Sequence, residues 1–440
     1  MKHHFDILVV GAGPAGVAAA VTAAECGRRV GLVDDNPAAG GQIWRSGAPL
    51  PQAARSWMAR LEPSGIMRLQ GWRVFDASGP AALLAERNGT GAPVPGDNIA
   101  ELQAEKLILT TGARERFLPF PGWTLPNVAG AGGLDALVRG GLPIAGKRVV
   151  VAGTGPLLLA VAAHLAEKGA QIAAVCEQAP LGRLVRFGLQ VLREPAKLWQ
   201  GAHYRMAMRT RLLTGCWVTA ARGDHRLRSV TLRQGKKHWD VACDFLACGY
   251  HLIPNTELAA LLGCRIEEGF VTTDEQMCTS LKNVSCAGEP TGIGGVELSL
   301  LEGQIAALSA CGRTDEARTL AIQRRGKLGF VRALAAASRL DPALRSLATK
   351  ETIVCRCEDV AMGALRARAN WRDAKLHTRC GMGPCQGRIC GSATEFLFGW
   401  SSDSVRPPIF PASVASLTSV SAAEKPLAVT PISQHAKETV

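Results

Sequence analysis

Residues 5–24 read Phe5-Asp6-Ile7-Leu8-Val9-Val10-Gly11-Ala12-Gly13-Pro14-Ala15-Gly16-Val17-Ala18-Ala19-Ala20-Val21-Thr22-Ala23-Ala24. The apolar run before Gly11 has the pattern of a buried strand, and the Ala-rich run after Gly16 that of a helix. The glycines between them have separate tasks. Gly11 permits the tight turn, Gly13 lets backbone approach a pyrophosphate, and Gly16 lets helix and strand pack closely. The loop Gly11-Ala12-Gly13-Pro14-Ala15-Gly16 thus ends on a helix N-terminus, where unpaired N–H groups favour negative charge. A second strand, Arg29 to Val33, runs into Asp34-Asp35. A carboxylate there can hydrogen-bond a ribose diol. Asp34 is the first choice for that role and Asp35 the one-register alternative. The motif does not decide between NAD and FAD.

The pattern returns once. Lys147 to Ala152 forms a second apolar strand, Gly153-Thr154-Gly155-Pro156-Leu157-Leu158 a second loop, and Ala173 to Cys176 a strand ending at Glu177. Here the third glycine is replaced by Leu158, which spreads helix from strand. Glu177 would favour a free diol over a 2′-phosphate. The unit either holds NAD or another adenine nucleotide such as ATP, or keeps the fold without one.

The rest of the chain bounds the class. With 440 residues, 47% hydrophobic, 48 Gly and only 5% aromatic, an α/β protein of two or three domains is expected. The net charge of +13 reads as general solubility or as a face for an acidic partner or anionic cofactor. No Lys/Arg run alternates with aromatics, which speaks against nucleic acid. Ile7 to Val10 is too short to span a bilayer, and a cytoplasmic location is expected, with the inner face of the membrane as a peripheral site. Nine of 14 cysteines are scattered through apolar stretches. There is no C-x-x-C, and none lies between Asp34 and Leu107, so disulfide reduction by a flavin-adjacent pair is set aside. His203, His251 and His377 are isolated in sequence.

The other five cysteines lie together. Cys355-Arg356-Cys357 is followed after 22 residues by Cys380, after four by Cys385, and after four more by Cys390. Cys355, Cys357, Cys380 and Cys385 are the expected ligands. Four thiolates can hold two irons or one zinc ion. Gly381-Met382-Gly383-Pro384 lets the later pair turn inward, and Cys390 is left as bystander or substitute.

Three stretches resemble the two-dinucleotide-domain flavoproteins, the group of glutathione and thioredoxin reductases. They are Gly40-Gly41-Gln42, the strand and turn Leu107 to Thr111-Gly112-Ala113, and Val284 to Gly288-Glu289, where Glu289 replaces the usual Asp. The resemblance implies FAD at the first loop and nested Rossmann-like domains. The cysteine segment resembles bacterioferritin-associated-ferredoxin-like 2Fe–2S domains through "C-R-C-E" and "G-M-G-x-C-Q-G-R-x-C". In this order the parts are similar to the large subunits of opine oxidases, D-hydroxyproline dehydrogenase, dye-linked L-proline dehydrogenase and hydrogen cyanide synthase. Gly40-Gly41-Gln42-Ile43-Trp44-Arg45, Gly292-Ile293-Gly294-Gly295 and Arg406-Pro407-Pro408 add to that likeness. It implies a β subunit resembling D-amino-acid oxidase that oxidises the amine, and a small γ subunit. Electrons would pass through FAD and the cluster here to a quinone or other carrier, with FMN at a subunit interface in some relatives. Three alternatives are a self-sufficient NAD(P)H-dependent flavin reductase, a hydrogen cyanide synthase subunit and a zinc-holding nucleotide-binding scaffold.

The expected division is an FAD domain over 1–115 and 245–312, an NAD-like domain over 116–244, a helical connector over 313–350, a 2Fe–2S domain over 351–411 and a flexible tail over 412–440. Residues 181–211, rich in Arg, read as a solvated helical face or a partner-docking surface.

Overall fold

A computed structural model describes residues 1–44, 50–88, 98–192, 195–208, 210–401 and 405–420. The first glycine loop sits on a mainly parallel sheet. Its strands run in the order Met67–Gln70, Val30–Asp34, Lys2–Val10, Ile99–Leu109, Ala82–Arg87 and Trp72–Gly79, with Val284–Cys286 joined to Ile99–Leu109. Val9 lies opposite Leu32 on one side and Ile108 on the other, and Ile108 is also opposite Ser285. Strands buried on both faces need continuous apolar sequence, and Ile7, Leu8, Val9, Leu107, Ile108 and Leu109 are each at most 1% exposed.

Helix Pro14–Glu25 covers one face of this sheet, and helix Val296–Ala310 lies against it. Small residues set the spacing between the two helices. A Cβ on Gly303 would collide with the carbonyl of Ala15.

The second sheet is wholly parallel: Leu212–Thr214, Gln171–Glu177, Arg148–Thr154, Phe245–Tyr250 and Val128–Ala129. A three-stranded antiparallel meander, Cys216–Arg222, Ser229–Gln234 and Lys237–Ala242, packs beside it. The expected return to the first domain at residue 245 differs from the structure. Phe245–Tyr250 pairs with Arg148–Thr154, and the chain rejoins the first sheet only at Val284–Cys286. Asp244 to Tyr250 does resemble, in sequence, the strand that closes such a second unit, and the boundary belongs after it. Two short antiparallel strands, Ala113–Glu115 and Leu252–Pro254, carry the chain across and back.

Helix Thr314–Ala337 and a 3-10 turn, Pro342–Ser346, lead to the cysteine segment. The start of the expected tail is ordered rather than free. Val414–Val420 is a helix, and Glu86 accepts hydrogen bonds from Ser413 N (3.0 Å) and Ser416 Oγ (2.7 Å). Residues 421–440 lie outside the described residues. Among the described residues no helix is long and apolar enough to cross a membrane.

Candidate cofactor sites

The carboxyl ends of four strands of the first sheet converge on the first glycine loop, where strand order reverses. Open α/β sheets bind ligands at such a point. Gly13 caps helix Pro14–Glu25 without any side-chain bond, so the first helical N–H groups have no side-chain acceptor. Gly16 presses against the loop itself: a Cβ there would collide with the Gly11 carbonyl oxygen. Gly41, at φ +59°, folds back over the loop, and a Cβ on it would stand 2.8 Å from the Cα of Gly13. Gly40 N donates to Ala12 O at 2.7 Å, which fixes that return.

Asp34 faces the loop. Its carboxylate accepts from Ala12 N at 2.5 Å and from Asn36 N at 2.7 Å, and burial raises its pKa. Asp35 points away, 3.5 Å from the Arg73 guanidinium. Of the two acids, the structure therefore brings Asp34 to the loop. Gln42 is exposed beside it, and Arg45 lies outside the described residues. Thr111 and Gly112 sit at the crossing strands, tied to Asn255 through Thr111 Oγ1 to Asn255 O (2.5 Å) and Asn255 N to Gly112 O (2.9 Å).

Gly288 and Glu289 reach the same place from the other end of the chain. A Cβ on Gly288 would stand 2.9 Å from Ala15 Cβ. Buried Glu302 fixes this turn, accepting from Gly288 N (2.9 Å) and Thr291 Oγ1 (2.9 Å) while paired with Arg324 (2.7 Å). The one sequence signal for Glu302 is an acid in mid-helix with an arginine 22 positions on. Glu289 Oε1 accepts from Gly295 N at 3.0 Å, whereas its Oε2 is buried without a partner. An orphaned buried carboxylate oxygen is costly unless something bonds it. A polar hydroxylated ligand against this loop would satisfy it, so these residues fit a flavin dinucleotide.

Burial lifts Glu289 from 4.5 to about 7. Between these values the folded chain holds a proton that the unfolded chain has released, so stability falls as pH rises. In flavin-free protein we expect a loss of up to about 3 kcal/mol between pH 4.5 and 7 from this group. Urea melts of Glu289→Gln should show the slope flattened over that window; an unchanged slope contradicts the assignment.

The second loop is more closed. Gly153 abuts the Gly249 backbone, and Leu158 is 2% exposed in the core. Glu177 is enclosed, its oxygens accepting from Thr154 Oγ1 (2.6 Å), Gly155 N (2.7 Å) and Ala179 N (2.8 Å). The position a Cβ of Gly155 would occupy is 3.5 Å from Ser338 Oγ and 3.7 Å from His251 Nδ1. His251 looked isolated in sequence. Here it is half-buried near the Arg116 guanidinium, and desolvation lowers its pKa to about 4.

The cysteine segment begins on strand Ile353–Cys355 and closes on helix Cys390–Phe398. The expected four adjoin in two pairs, Cys355 with Cys380 and Cys357 with Cys385. The Sγ atoms of Cys355, Cys380 and Cys390 lie within 4.8 Å of one another. A concavity alongside is walled by Cys355, Cys357, Cys385 and Cys390, with Phe117 and Trp123 opposite. Cys390, left open from sequence as bystander or substitute, belongs to both groups, while Cys380 is fully buried and does not line the concavity. The reason is the Gly387 turn, which starts a helix at Cys390 directly against the strand of Cys355. The "C-Q-G-R-x-C" spacing was the available signal. Thiols of Cys380 and Cys390 donate to Cys355, pulling its pKa down to about 2, and Gly381 N lies 3.5 Å from its sulfur. A thiolate poised in this way is what a metal centre requires.

Hydrogen bonds fasten this segment to the flavoprotein body. Trp123 Nε1 donates to Ile353 O at 2.6 Å. Arg114 Nε donates to Arg388 O at 3.2 Å, and Arg114 Nη1 to Asn255 Oδ1 at 2.7 Å.

Residues 5–306 match the family model for pyridine nucleotide-disulphide oxidoreductases. The chain belongs to that family. Two curated relatives of this pyridine nucleotide-disulphide oxidoreductase align over nearly its whole length. An opine oxidase subunit from Rhizobium meliloti (strain 1021) is 31% identical over 94% of this chain and 98% of its own. Hydrogen cyanide synthase subunit HcnB of Pseudomonas protegens is 31% identical over 91% of each. The crystal structure of L-proline dehydrogenase from P. horikoshii shares the fold, with a TM-score of 0.67, 17% identity, and coverage of 94% of this chain and 80% of that one. The chain is thus an FAD-dependent oxidoreductase of the fold its glycine loops announced.

Proposed function

We propose that this chain is the electron-transferring flavoprotein subunit of a heteromeric amine or imino-acid dehydrogenase of the opine or D-hydroxyproline type. A partner resembling D-amino-acid oxidase removes the hydride. This chain carries the electrons through FAD at Gly11, Gly13, Gly16, Asp34, Gly41, Thr111, Gly288 and Glu289. They pass next to a 2Fe–2S cluster held by Cys355, Cys357, Cys385 and Cys390, and then to a quinone or other carrier at the inner face of the membrane. The observation that carries the reading is the thiol-walled concavity bolted to the crossing strands through Arg114. A flavin takes electrons in pairs and a 2Fe–2S centre passes them singly, so the two together divide a hydride into one-electron steps. The relatives are named as subunits, which supports a heteromer.

The second loop favours partner dependence over an NAD(P)H reductase, because Leu158 stands buried where the first loop has its third glycine. Expressed alone, the chain should contain flavin and iron yet oxidise opines, sarcosine and hydroxyproline at no more than about 1% of the rate of the co-expressed complex. Dye reduction with each substrate checks this. Full amine oxidation by the lone chain, or rapid NADH oxidation, refutes the division of labour.

A further inference from the structure

Half of the large apolar side chains that stand more than half exposed among the described residues fall between 181 and 206. Four of them, Leu181, Val185, Leu189 and Leu192, are 53–63% exposed along helix Leu181–Val191 and the residue after it. Spacings of four, four and three place them in one stripe running the length of the helix. The opposite side is already used: Phe187 packs on Phe330 of helix Thr314–Ala337, with ring centroids 5.7 Å apart, and Val191 is buried. Among the described residues, the outer stripe is therefore left exposed. Trp199, 73% exposed, and Met206, 70% exposed, follow on the adjacent helix Pro195–Ala207.

The charge along this stretch of sequence is predominantly positive. Residues 181–211 contain seven Lys or Arg and a single acid, Glu194. The cores of protein interfaces are depleted of charge of either sign. An apolar helical stripe in a stretch with seven cations and one acid, with an exposed Trp nearby, has the composition of a helix that lies in the headgroup layer of an anionic bilayer. We propose that helix Leu181–Val191, with Trp199 and Met206, docks this protein on an anionic lipid surface, the apolar stripe entering the acyl boundary and the arginines meeting headgroups. Its purpose rests on the reading of a membrane-borne acceptor, but its occurrence does not.

The test is flotation of the purified, flavin-loaded complex with vesicles of phosphatidylcholine, alone or with about 30% phosphatidylglycerol. The complex should float with the anionic vesicles only and be released by salt on the order of 0.5 M. Val185→Glu/Leu189→Glu should lower the bound fraction at least about tenfold, with flavin, iron and partner retained. A second measurement covers a double variant that misfolds: brominated phosphatidylglycerol should quench tryptophan emission of the unmodified complex, and Trp199→Phe should remove most of that quenching. Absence of flotation, flotation unaffected by the double variant, or quenching unaffected by Trp199→Phe overturns the proposal. So does release of the partner subunit by the double variant, which would assign the face to protein–protein contact. Flavin and iron content decide the redox reading separately.

Discussion

Cys390→Ser should purify with flavin and without iron. Iron and acid-labile sulfide should fall from about two per chain to background, and the electron paramagnetic resonance signal of the reduced cluster should vanish. Cys390 begins its helix within 4.8 Å of the Cys355 sulfur and also lines the concavity, so its loss removes one corner of the thiol set. Cys357→Ser should do the same with little effect on folding, because Cys357 is exposed. Cys380→Ser is the discriminating partner experiment. That thiol adjoins Cys355 and Cys390 without lining the concavity, and the variant should keep its iron. If Cys380→Ser empties the site while Cys390→Ser does not, the ligand set is the one expected from spacing alone. If none of the variants loses metal because none is bound, the electron route proposed above fails.

Gly16→Ala should abolish flavin binding and destabilise the chain more than any other single methyl addition in the first domain. The new Cβ would collide with the Gly11 carbonyl oxygen and stand 2.7 Å from Thr110 Oγ1. The colliding oxygen is backbone on the tightest turn of the loop, so relief requires moving the helix N-terminus off the strand. Overpacking typically costs about 1–3 kcal/mol, and the upper end is expected where backbone must yield. A shift of the helix N-terminus also misplaces the N–H groups that would meet the diphosphate. The ratio of 450 nm to 280 nm absorbance, read beside a urea melt, checks both effects. A variant with full flavin and an unchanged midpoint contradicts the packing argument. Gly65→Ala, which meets nothing within 4 Å though its φ is +68°, provides a control for backbone strain without collision.

The two glycine loops, their strands and the acids Asp34 and Glu177 were readable because each is a local signal: an apolar run, a turn residue and a helix start within about thirty positions. The cysteine segment was visible for the same reason. What sequence could not show lay in contacts between distant positions. Glu302 matters because it meets Gly288 and Arg324, and His251 because it meets Gly155. The exposure of Leu181, Val185 and Leu189 is equally invisible locally, since an apolar stripe reads the same whether a neighbour covers it or not.

Taken alone, the amino-acid sequence determined that this protein has two strand–loop–helix nucleotide units and a thiol cluster, since backbone sterics and helix-end charge act within a few residues. Tertiary structure decided which acid faces the first loop, where the chain rejoins the first sheet, what Glu177 bonds in its own loop, and that Cys390 lies against Cys355. Each of these depends on where a side chain points after segments far apart in the chain have packed. Spacing constrains such directions only when a single helix or strand carries both residues.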